Sequence, residues 1–311
     1  MKALASTSFD EQPTVMEVPN PVPAAGELLV RVRAASVNAY DTFVAMGAMK
    51  DYMPYEFPAV IGSDLAGTVE GVGESVEGFA VGDRVFGMMG MKPVVHDGSF
   101  GELATPQATS VAKTPDGVED ADAGSLGVAG TTALSAVEAL GSIEGAAVLI
   151  LGATGGVGSY AIQLAAARGA KVIASVRPGD EGFVTGLGAS ETVDYTGELA
   201  TAIRERHPNG VDGIIDVVDR DPAAFGAVAG LARAGGHAVS AVGGAGESSQ
   251  IGEVAVANIG GNPQLLLQLA EMVRDGKLRV PIRKTYPLEK AAQALQDFTN
   301  EHTVGKLLIT S

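Results

Sequence analysis

Apolar and polar residues alternate along the first part of the chain in short runs that glycine and proline separate. ELLVRVRA at 27–34 follows this pattern, and AGTVEGVG at 66–73 and DRVFGMM at 83–89 are further short β-like runs. A period of two is typical of strands that bury one face. Residues 1 to about 120 are therefore predicted to form mainly β structure with half-buried antiparallel strands.

From about residue 121 the pattern changes to helical segments between continuous apolar runs. Such runs, with helices between them, are typical of a parallel sheet that is covered on both faces. The runs are AAVLIL at 146–151, AKVIASV at 170–176, GIIDVV at 213–218 and HAVSAV at 237–242. The predicted fold class is α/β, with a mainly β domain beside a doubly wound parallel sheet. The chain ends in an amphipathic segment that stops near Gly276, a helical segment after Pro287 and the strand GKLLIT.

A glycine-rich loop, GATGGVG at 152–158, joins the first apolar run to the helical segment SYAIQLAAARG. Its glycine spacing permits a tight turn, the close approach of a pyrophosphate and close packing of helix on strand. A plain glycine-rich turn has the same pattern, but the order strand, loop, helix and strand favours a dinucleotide site with its phosphates at the helix N-terminus. The predicted cofactor-binding residues of this loop are Thr154, Gly155, Gly156 and Val157.

The second strand of this unit ends in VIASVRPGD, where an acidic residue often holds the adenosine ribose. Here Ser175 and Arg177 occupy the strand end, and the first acids, Asp180 and Glu181, follow a Pro-Gly turn. Arginine pairs with phosphate through two parallel hydrogen bonds, so we predict binding of NADP(H) through Ser175 and Arg177. The alternative is a solvated arginine, with NAD(H) as cofactor or no strong preference.

The composition narrows the classes of function. The 311 residues suggest about two domains, and 46% hydrophobic and 19% charged residues fit folded cores. A net charge of −16 argues against nucleic acid as a partner. The absence of cysteine excludes disulfides, thiol catalysis and cysteine-bound zinc, and fits a cytoplasmic location. We find no signal peptide and no apolar segment of membrane-spanning length, so no membrane partner is expected.

Several motifs together resemble the zinc-free quinone oxidoreductase branch of the medium-chain dehydrogenase/reductase superfamily, in the family's order and over nearly the whole chain. They are ASVNAYD, PAVIGSDLAGTVEGVGESVEGFAVGDRVFGM, GSFGELA, GVAGTTALSAV, VLILGATGGVGSYAIQLAAARGAKVIASV and GKLLIT. The resemblance implies a GroES-like catalytic domain at 1–120, completed by 275–311, and a Rossmann domain at 121–274, with the active site in the cleft that separates them. Dimers are common in the family, which leaves a homodimer open.

The positions at which zinc-dependent relatives carry metal ligands hold other residues here. Asn38 stands in place of the cysteine and Ser63 in place of the histidine, followed by Asp64. A catalytic zinc needs about three protein ligands, so we predict no metal. The four histidines are scattered and are interpreted as solvated surface residues: His96, His207, His237 and His302.

Without zinc, the resemblance implies reduction of quinones or α,β-unsaturated carbonyls by NADPH, because the charge that arrives with the hydride spreads over the acceptor. Tyr52 resembles the proton-donating tyrosine of related enoyl reductases, Asn38 would touch the nicotinamide ribose or the substrate, and Thr131 would lie near the nicotinamide. The alternative for Tyr52 is a loop residue whose hydroxyl is only solvated, and the alternative for Thr131 is a helix N-cap. Phe43 occupies a position at which quinone reductases often have tyrosine, and Tyr40, between Asn38 and Asp41, could point elsewhere.

The resemblance also assigns Tyr195 to the adenosine phosphate and the backbone of Val242 and Gly243 to the carboxamide, and leaves Lys306 a structural role. Three other functions stay open at this point. They are an enoyl-thioester reductase, an NADPH-binding protein with a non-catalytic role, and a zinc alcohol dehydrogenase.

Overall fold

The computed structural model describes residues 1–311. Its strands are β1 (Lys2–Ser6), β2 (Thr14–Glu17), β3 (Leu28–Ser36), β4 (Ala59–Val60), β5 (Asp64–Val72), β6 (Arg84–Met88), β7 (Leu103–Ala104), β8 (Val111–Lys113), β9 (Ala147–Leu151), β10 (Lys171–Val176), β11 (Glu191–Asp194), β12 (Val211–Asp216), β13 (Ala232–Ser240), β14 (Gln250–Ile251), β15 (Val254–Asn258), β16 (Ile282–Pro287) and β17 (Lys306–Thr310).

The helices are α1 (Ala39–Ala45), α2 (Asp120–Ala123), α3 (Val128–Ala139), α4 (Gly156–Ala167), α5 (Glu181–Thr185), α6 (Leu199–Arg206), α7 (Pro222–Ala229), α8 (Leu266–Arg274) and α9 (Ala291–Asn300). Three short 3₁₀ helices cover Ala108–Ser110, Pro263–Leu265 and Leu288–Lys290. No helix is both long enough and apolar enough to span a membrane.

The first compact unit comprises residues 1–128 and 263–311. Its larger sheet runs β16-β17-β3-β5-β6-β8, with β7 paired to β3, and a smaller sheet runs β2-β1-β4. The alternation in β3 takes effect here, since Val30 and Val32 are buried while Arg31 pairs with Glu70 on the outer side. The mainly β character that the alternating pattern predicts is confirmed.

The carboxyl end of β3 meets the amino ends of two strands in this sheet. Both β5 and β17 run antiparallel to β3, and Ser36 lies opposite Leu308 of β17. Antiparallel neighbours place the start of one strand beside the end of the next. Residues far apart in the sequence are thereby brought together just after Ser36.

The second compact unit comprises residues 129–262. Its seven-stranded sheet has the order β11-β10-β9-β12-β13-β15-β14 and is parallel apart from β14. This is the doubly wound order, in which the strand sequence reverses on either side of β9. The continuous apolar runs are buried, with Val148, Leu149 and Ile150 fully enclosed, and the predicted α/β class is confirmed.

Two segments at the predicted domain limits pack within the first unit. Helix α2 contacts β3 and β5, and α8 contacts β8. A Cβ on Gly87 of β6 would lie 2.9 Å from Leu266 of α8, which shows how closely the helix covers that strand. The functional domain limits 1–120 with 275–311, and 121–274, stay predictions.

Candidate functional site

The glycine loop of the second unit connects β9 to α4 in a tight turn. Gly152 has a φ of +68°, in the left-handed region that glycine favours. A Cβ on Gly158 would lie 2.2 Å from the carbonyl oxygen of Gly152 and 2.7 Å from Cα of Ala153. No side chain fits there, so α4 packs directly on the end of β9.

The loop residues that we predicted for phosphate binding lie at the start of α4. Gly155 is the N-cap residue with extended backbone, and Gly156 and Val157 begin the helix. Thr154 just before them is buried. The first N–H groups of a helix have no acceptor within it, and they lie at the positive end of its dipole. These features fit the pyrophosphate of a dinucleotide.

The end of β10 carries the buried Ser175 and the exposed Arg177, and the exposed Tyr195 follows the neighbouring strand β11. The Ser175 hydroxyl is buried and accepts a hydrogen bond from the Gly152 N–H at 3.3 Å. Arg177 is exposed, donates from Nε to the Tyr195 hydroxyl, and places its guanidinium 5.9 Å from the centre of that ring. The structure therefore brings the predicted Arg177 and Tyr195 together, while Ser175 supports the glycine loop.

A buried carboxylate at the end of β12 was not predicted from the sequence. Asp216 is fully buried, and its Oδ1 accepts from the N–H groups of Val218 and Asp219, whereas Oδ2 has no partner. Burial, the largest cause, raises the pKa of Asp216 to about 6. An acid directly after a buried apolar run, as in GIIDVV, is the signal that could have indicated it.

The predicted carboxamide-binding backbone lies at the same edge of this sheet. Val242 and Gly243 follow β13, and the Val242 N–H donates to the Ser240 hydroxyl at 3.3 Å. Asp216 and Ser240 lie opposite each other in the parallel register of β12 and β13. The carboxyl ends of parallel strands meet at one edge of a doubly wound sheet, where such folds bind ligands.

In the first unit, a buried polar cluster surrounds Asn38, the N-cap residue of α1. The Asn38 Nδ2 donates to Oδ2 of Asp64 at 2.8 Å and to the Ser63 hydroxyl and the Ser36 carbonyl, both at 3.3 Å. Its Oδ1 accepts from Nζ of Lys306 at 2.7 Å. The amide thus lies between a carboxylate and an ammonium group, and 7% of its surface is exposed.

Every oxygen of Asp64 is engaged in this cluster. Its Oδ2 also accepts from the Ser36 hydroxyl at 2.6 Å and lies 3.9 Å from Nζ of Lys306. Its Oδ1 accepts from the Val128 N–H at 2.7 Å. Asp64 is 0% and Lys306 2% exposed. Burial lowers the pKa of Lys306, although the two nearby aspartates act in the opposite direction.

A second aspartate, Asp41 of α1, completes the cluster. Its Oδ2 accepts from the Asn38 N–H at 2.7 Å, and its Oδ1 is buried without a partner. Burial raises the pKa of Asp41 to about 7, and the Asn38 N–H only partly offsets that effect. The side chain therefore titrates near neutral pH inside the unit.

The predicted catalytic residues occupy different environments. Tyr52 lies in the turns after α1 with 83% of its surface exposed, and Tyr40 is partly exposed on α1. Thr131 lies within α3 and is buried, so its alternative interpretation as a helix N-cap is wrong. Within the first unit the structure joins Asn38 to Lys306 and Asp64.

The cluster does not fit a zinc ion. A zinc site takes thiolate, imidazole or carboxylate ligands. The two positions at which zinc-dependent relatives carry ligands hold the amide of Asn38 and the hydroxyl of Ser63. The adjacent Asp64 accepts hydrogen bonds from three donors, and the Lys306 ammonium lies 3.9 Å from its Oδ2. A divalent cation would have to displace this buried ammonium group.

Two family models match this chain, one in its N-terminal part and one in its C-terminal part. A family described as "Alcohol dehydrogenase GroES-like domain" matches residues 24–116, and one described as "Zinc-binding dehydrogenase" matches residues 187–309. The solved structure of the quinone oxidoreductase from Coxiella burnetii superimposes with a TM-score of 0.85 at 26% identity, covering 100% of this chain and 99% of that one.

Curated relatives are also similar over nearly the whole chain. A chloroplast envelope quinone oxidoreductase homolog of Arabidopsis thaliana is 28% identical over 309 residues, covering 94% of this chain and 92% of that protein. The quinone oxidoreductase of Sus scrofa is 31% identical over 316 residues, with the same shares of 94% and 92%. An acryloyl-coenzyme A reductase of Metallosphaera sedula is 26% identical over 342 residues and covers 100% of both chains. The chain therefore belongs to the medium-chain dehydrogenase/reductase family of pyridine-nucleotide-dependent oxidoreductases, in its quinone oxidoreductase-like group.

Proposed function

We propose that this protein is a zinc-independent reductase that transfers a hydride from NADPH to a quinone or an α,β-unsaturated carbonyl compound. The observation that carries the proposal concerns Asp64. Both of its carboxylate oxygens accept hydrogen bonds, and the buried ammonium of Lys306 lies beside it. This arrangement supports a reaction without a Lewis-acid metal at the positions where zinc-dependent relatives carry their ligands. The favoured acceptors are those that spread the incoming charge into a phenolate or enolate.

The NADPH preference rests on the end of β10. An acid at this position would repel a 2′-phosphate, whereas β10 ends at Val176 and is followed by the exposed Arg177. The Tyr195 hydroxyl beside the guanidinium adds a second polar group. Together they can bind a phosphate monoester through charge-assisted hydrogen bonds.

NADPH, when bound, supplies the hydride, and the protein contributes position and polarity. In this proposal Thr154, Gly155, Gly156 and Val157 hold the pyrophosphate, and the backbone of Val242 and Gly243 binds the carboxamide. Asn38 and Thr131 serve the nicotinamide side, and the exposed Tyr52 is the candidate proton donor.

Reduction of an enoyl thioester is the second candidate function. The likeness to an acryloyl-coenzyme A reductase over both complete chains favours it. The hydride chemistry is the same, since a thioester enone also forms an enolate. The net charge of −16 works against a polyphosphate-bearing substrate, which makes this candidate the weaker one.

The test is steady-state oxidation of NADPH with a benzoquinone, an enone, an enoyl-CoA and a simple aldehyde, combined with metal analysis. We expect turnover with the quinone or the enone, little with the aldehyde, and no stoichiometric zinc. Tight NADPH binding without turnover of any acceptor would support a non-catalytic role. Stoichiometric zinc with aldehyde reduction would establish an alcohol dehydrogenase instead.

A cytoplasmic location and a homodimer are further parts of the proposal. Fractionation of the native cells tests the first, and light scattering of the purified chain tests the second.

A further inference from the structure

The bend at 217–219, which directly follows β12, is held by the side chain of Asp216. Its Oδ1 accepts from the Val218 N–H at 2.8 Å and from the Asp219 N–H at 3.0 Å. The residue is 0% exposed, and its carbonyl oxygen accepts from the Ala241 N–H at 2.8 Å. One buried carboxyl oxygen therefore fixes the backbone of two successive residues in this bend.

The bend contacts the glycine loop on one side. A Cβ on Gly152 would lie 2.5 Å from Cγ2 of Val217 and 2.9 Å from Cγ2 of Val218, so both valines cover the first glycine of the loop. Asp216 also lies opposite Leu151, the last residue of β9, in parallel register. A displacement of the bend would therefore reach the turn that leads into α4.

The bend contacts the segment after β13 on its other side. A Cβ on Gly244 would lie 2.2 Å from the Asp219 carbonyl oxygen, so the two backbones are in direct contact. The Gly244 N–H donates to the Ser240 hydroxyl at 2.9 Å. The same segment contains Val242 and Gly243, the predicted carboxamide-binding backbone. The bend therefore lies between the two stretches of backbone that are predicted to bind the pyrophosphate and the carboxamide.

We propose that Asp216 is a positioning residue for the dinucleotide, because the bend that it holds sets the spacing between the glycine loop and the segment 241–244. In this role its side chain touches neither the cofactor nor the substrate. The inference rests on the proposed function, since it concerns the cofactor of that reaction, but it is the same for NADPH and NADH.

The burial of this carboxyl group agrees with a positioning role. Its Oδ2 is buried without a hydrogen-bond donor, and a buried polar atom without a partner lowers stability. An apolar side chain would avoid that cost, so packing alone does not explain the aspartate. The two N–H groups of the bend, in contrast, need an acceptor at the place that Oδ1 occupies.

The test compares Asp216→Asn with Asp216→Ala, read as affinity for NADPH and NADH by fluorescence titration and as kcat and KM with a benzoquinone. The amide oxygen of asparagine can accept from both N–H groups, so Asp216→Asn should bind both cofactors within about threefold of the wild type. Asp216→Ala removes the acceptor. It should weaken the binding of both cofactors and raise their KM about tenfold, with kcat changed by less than about twofold.

Asp212→Ala is the matched control. Asp212 lies near the amino end of the same strand, and its carboxylate also accepts from a backbone N–H, that of Ala147, at 2.7 Å. This variant should bind both cofactors within about twofold of the wild type, because the carboxyl end of the sheet is unchanged.

Equal losses of affinity in Asp212→Ala and Asp216→Ala would overturn the positioning role, since they would indicate a general weakening of β12. Equal losses in Asp216→Asn and Asp216→Ala would also overturn it, because the acceptor oxygen would then not matter. If Asp216→Ala does not fold, Asp216→Ser replaces it. The shorter hydroxyl cannot reach both N–H groups, so wild-type affinity in Asp216→Ser would contradict the proposal. A wild type that binds either cofactor without reducing any acceptor would contradict the proposed function alone, because the comparison of affinities does not depend on turnover.

Discussion

The cluster around Asn38 and the pair of Arg177 with Tyr195 represent two ways of placing charge in one chain. In the first unit the Lys306 ammonium and the carboxyl groups of Asp64 and Asp41 are almost fully buried; Asp64 lies beside Lys306, and Asp41 accepts from the Asn38 N–H. In the second unit a guanidinium and a phenol lie exposed and hydrogen-bond to each other. Buried charges depend strongly on their partners, whereas exposed ones are solvated. Substitutions should therefore affect stability in the first region and ligand binding in the second.

The largest effect is expected from Asp64→Ala, which leaves the Lys306 ammonium buried without this carboxylate. Loss of one partner of a buried pair costs about 3–5 kcal/mol in the free energy of unfolding. Chemical denaturation measures this loss. The matched control is Glu70→Ala on the same strand, which removes the partly exposed pair with Arg31 and should cost about 0–1 kcal/mol. Similar losses in both variants would contradict the contrast between buried and exposed charge.

The next effect concerns the pH dependence of stability through Asp41. The unfolded carboxyl loses its proton near its ordinary pKa of about 3.9, while the folded one keeps it to about 7. Folding therefore binds a proton between these values, and stability falls as pH rises from about 4 to about 7. The amide in Asp41→Asn cannot ionise, so this variant should gain stability relative to the wild type across that window, by at most about 4 kcal/mol.

Thermal unfolding of both proteins at several pH values measures this difference. The pKa of Asp216, about 6, adds a slope of the same sign to both proteins and cancels in the comparison. A difference between the two proteins that does not change between pH 4 and 7 would show that Asp41 is already ionised there.

A smaller effect is expected from Gly158→Ala in the glycine loop. The added methyl would overlap the Gly152 carbonyl, 2.2 Å from the Cβ position, and would push α4 from β9. Overpacking of this kind costs about 1–3 kcal/mol, and nucleotide affinity should fall with it. The control is Gly182→Ala in α5, where a Cβ would have no neighbour within 4 Å, and which should be neutral or slightly stabilising. Unchanged NADPH affinity in Gly158→Ala would show that this loop does not bind the nucleotide.

Much of the fold could be predicted from local patterns. The alternation in 27–34 and the apolar runs at 146–151 and 170–176 predict the two kinds of sheet that β3, β9 and β10 form. These patterns report burial of individual strands, and burial is a local property of a periodic segment. The chain-long motifs then indicated the family, which the comparisons confirmed.

The functional contacts could be predicted less well, because they join distant segments. Lys306 and Asn38 are separated by 268 positions, and only the pairing of β17 with β3 brings them together. The sequence therefore suggested a structural role for Lys306 and could not show that the oxygens of Asp64 are occupied. Likewise, the sequence placed Ser175 at the cofactor but could not show that its hydroxyl accepts from the Gly152 N–H. The functional roles of all the candidate site residues stay predictions.

The central claim is most directly tested by kcat and KM for NADPH and NADH in the wild type, Arg177→Ala and Tyr195→Phe at a saturating quinone concentration. We predict that Arg177→Ala raises KM for NADPH about tenfold, or about 1.4 kcal/mol, with little change for NADH and none in kcat. Tyr195→Phe, which keeps the ring and the guanidinium, should lose less. Equal losses for both cofactors, or a wild type that uses NADH as well as NADPH, would contradict the account.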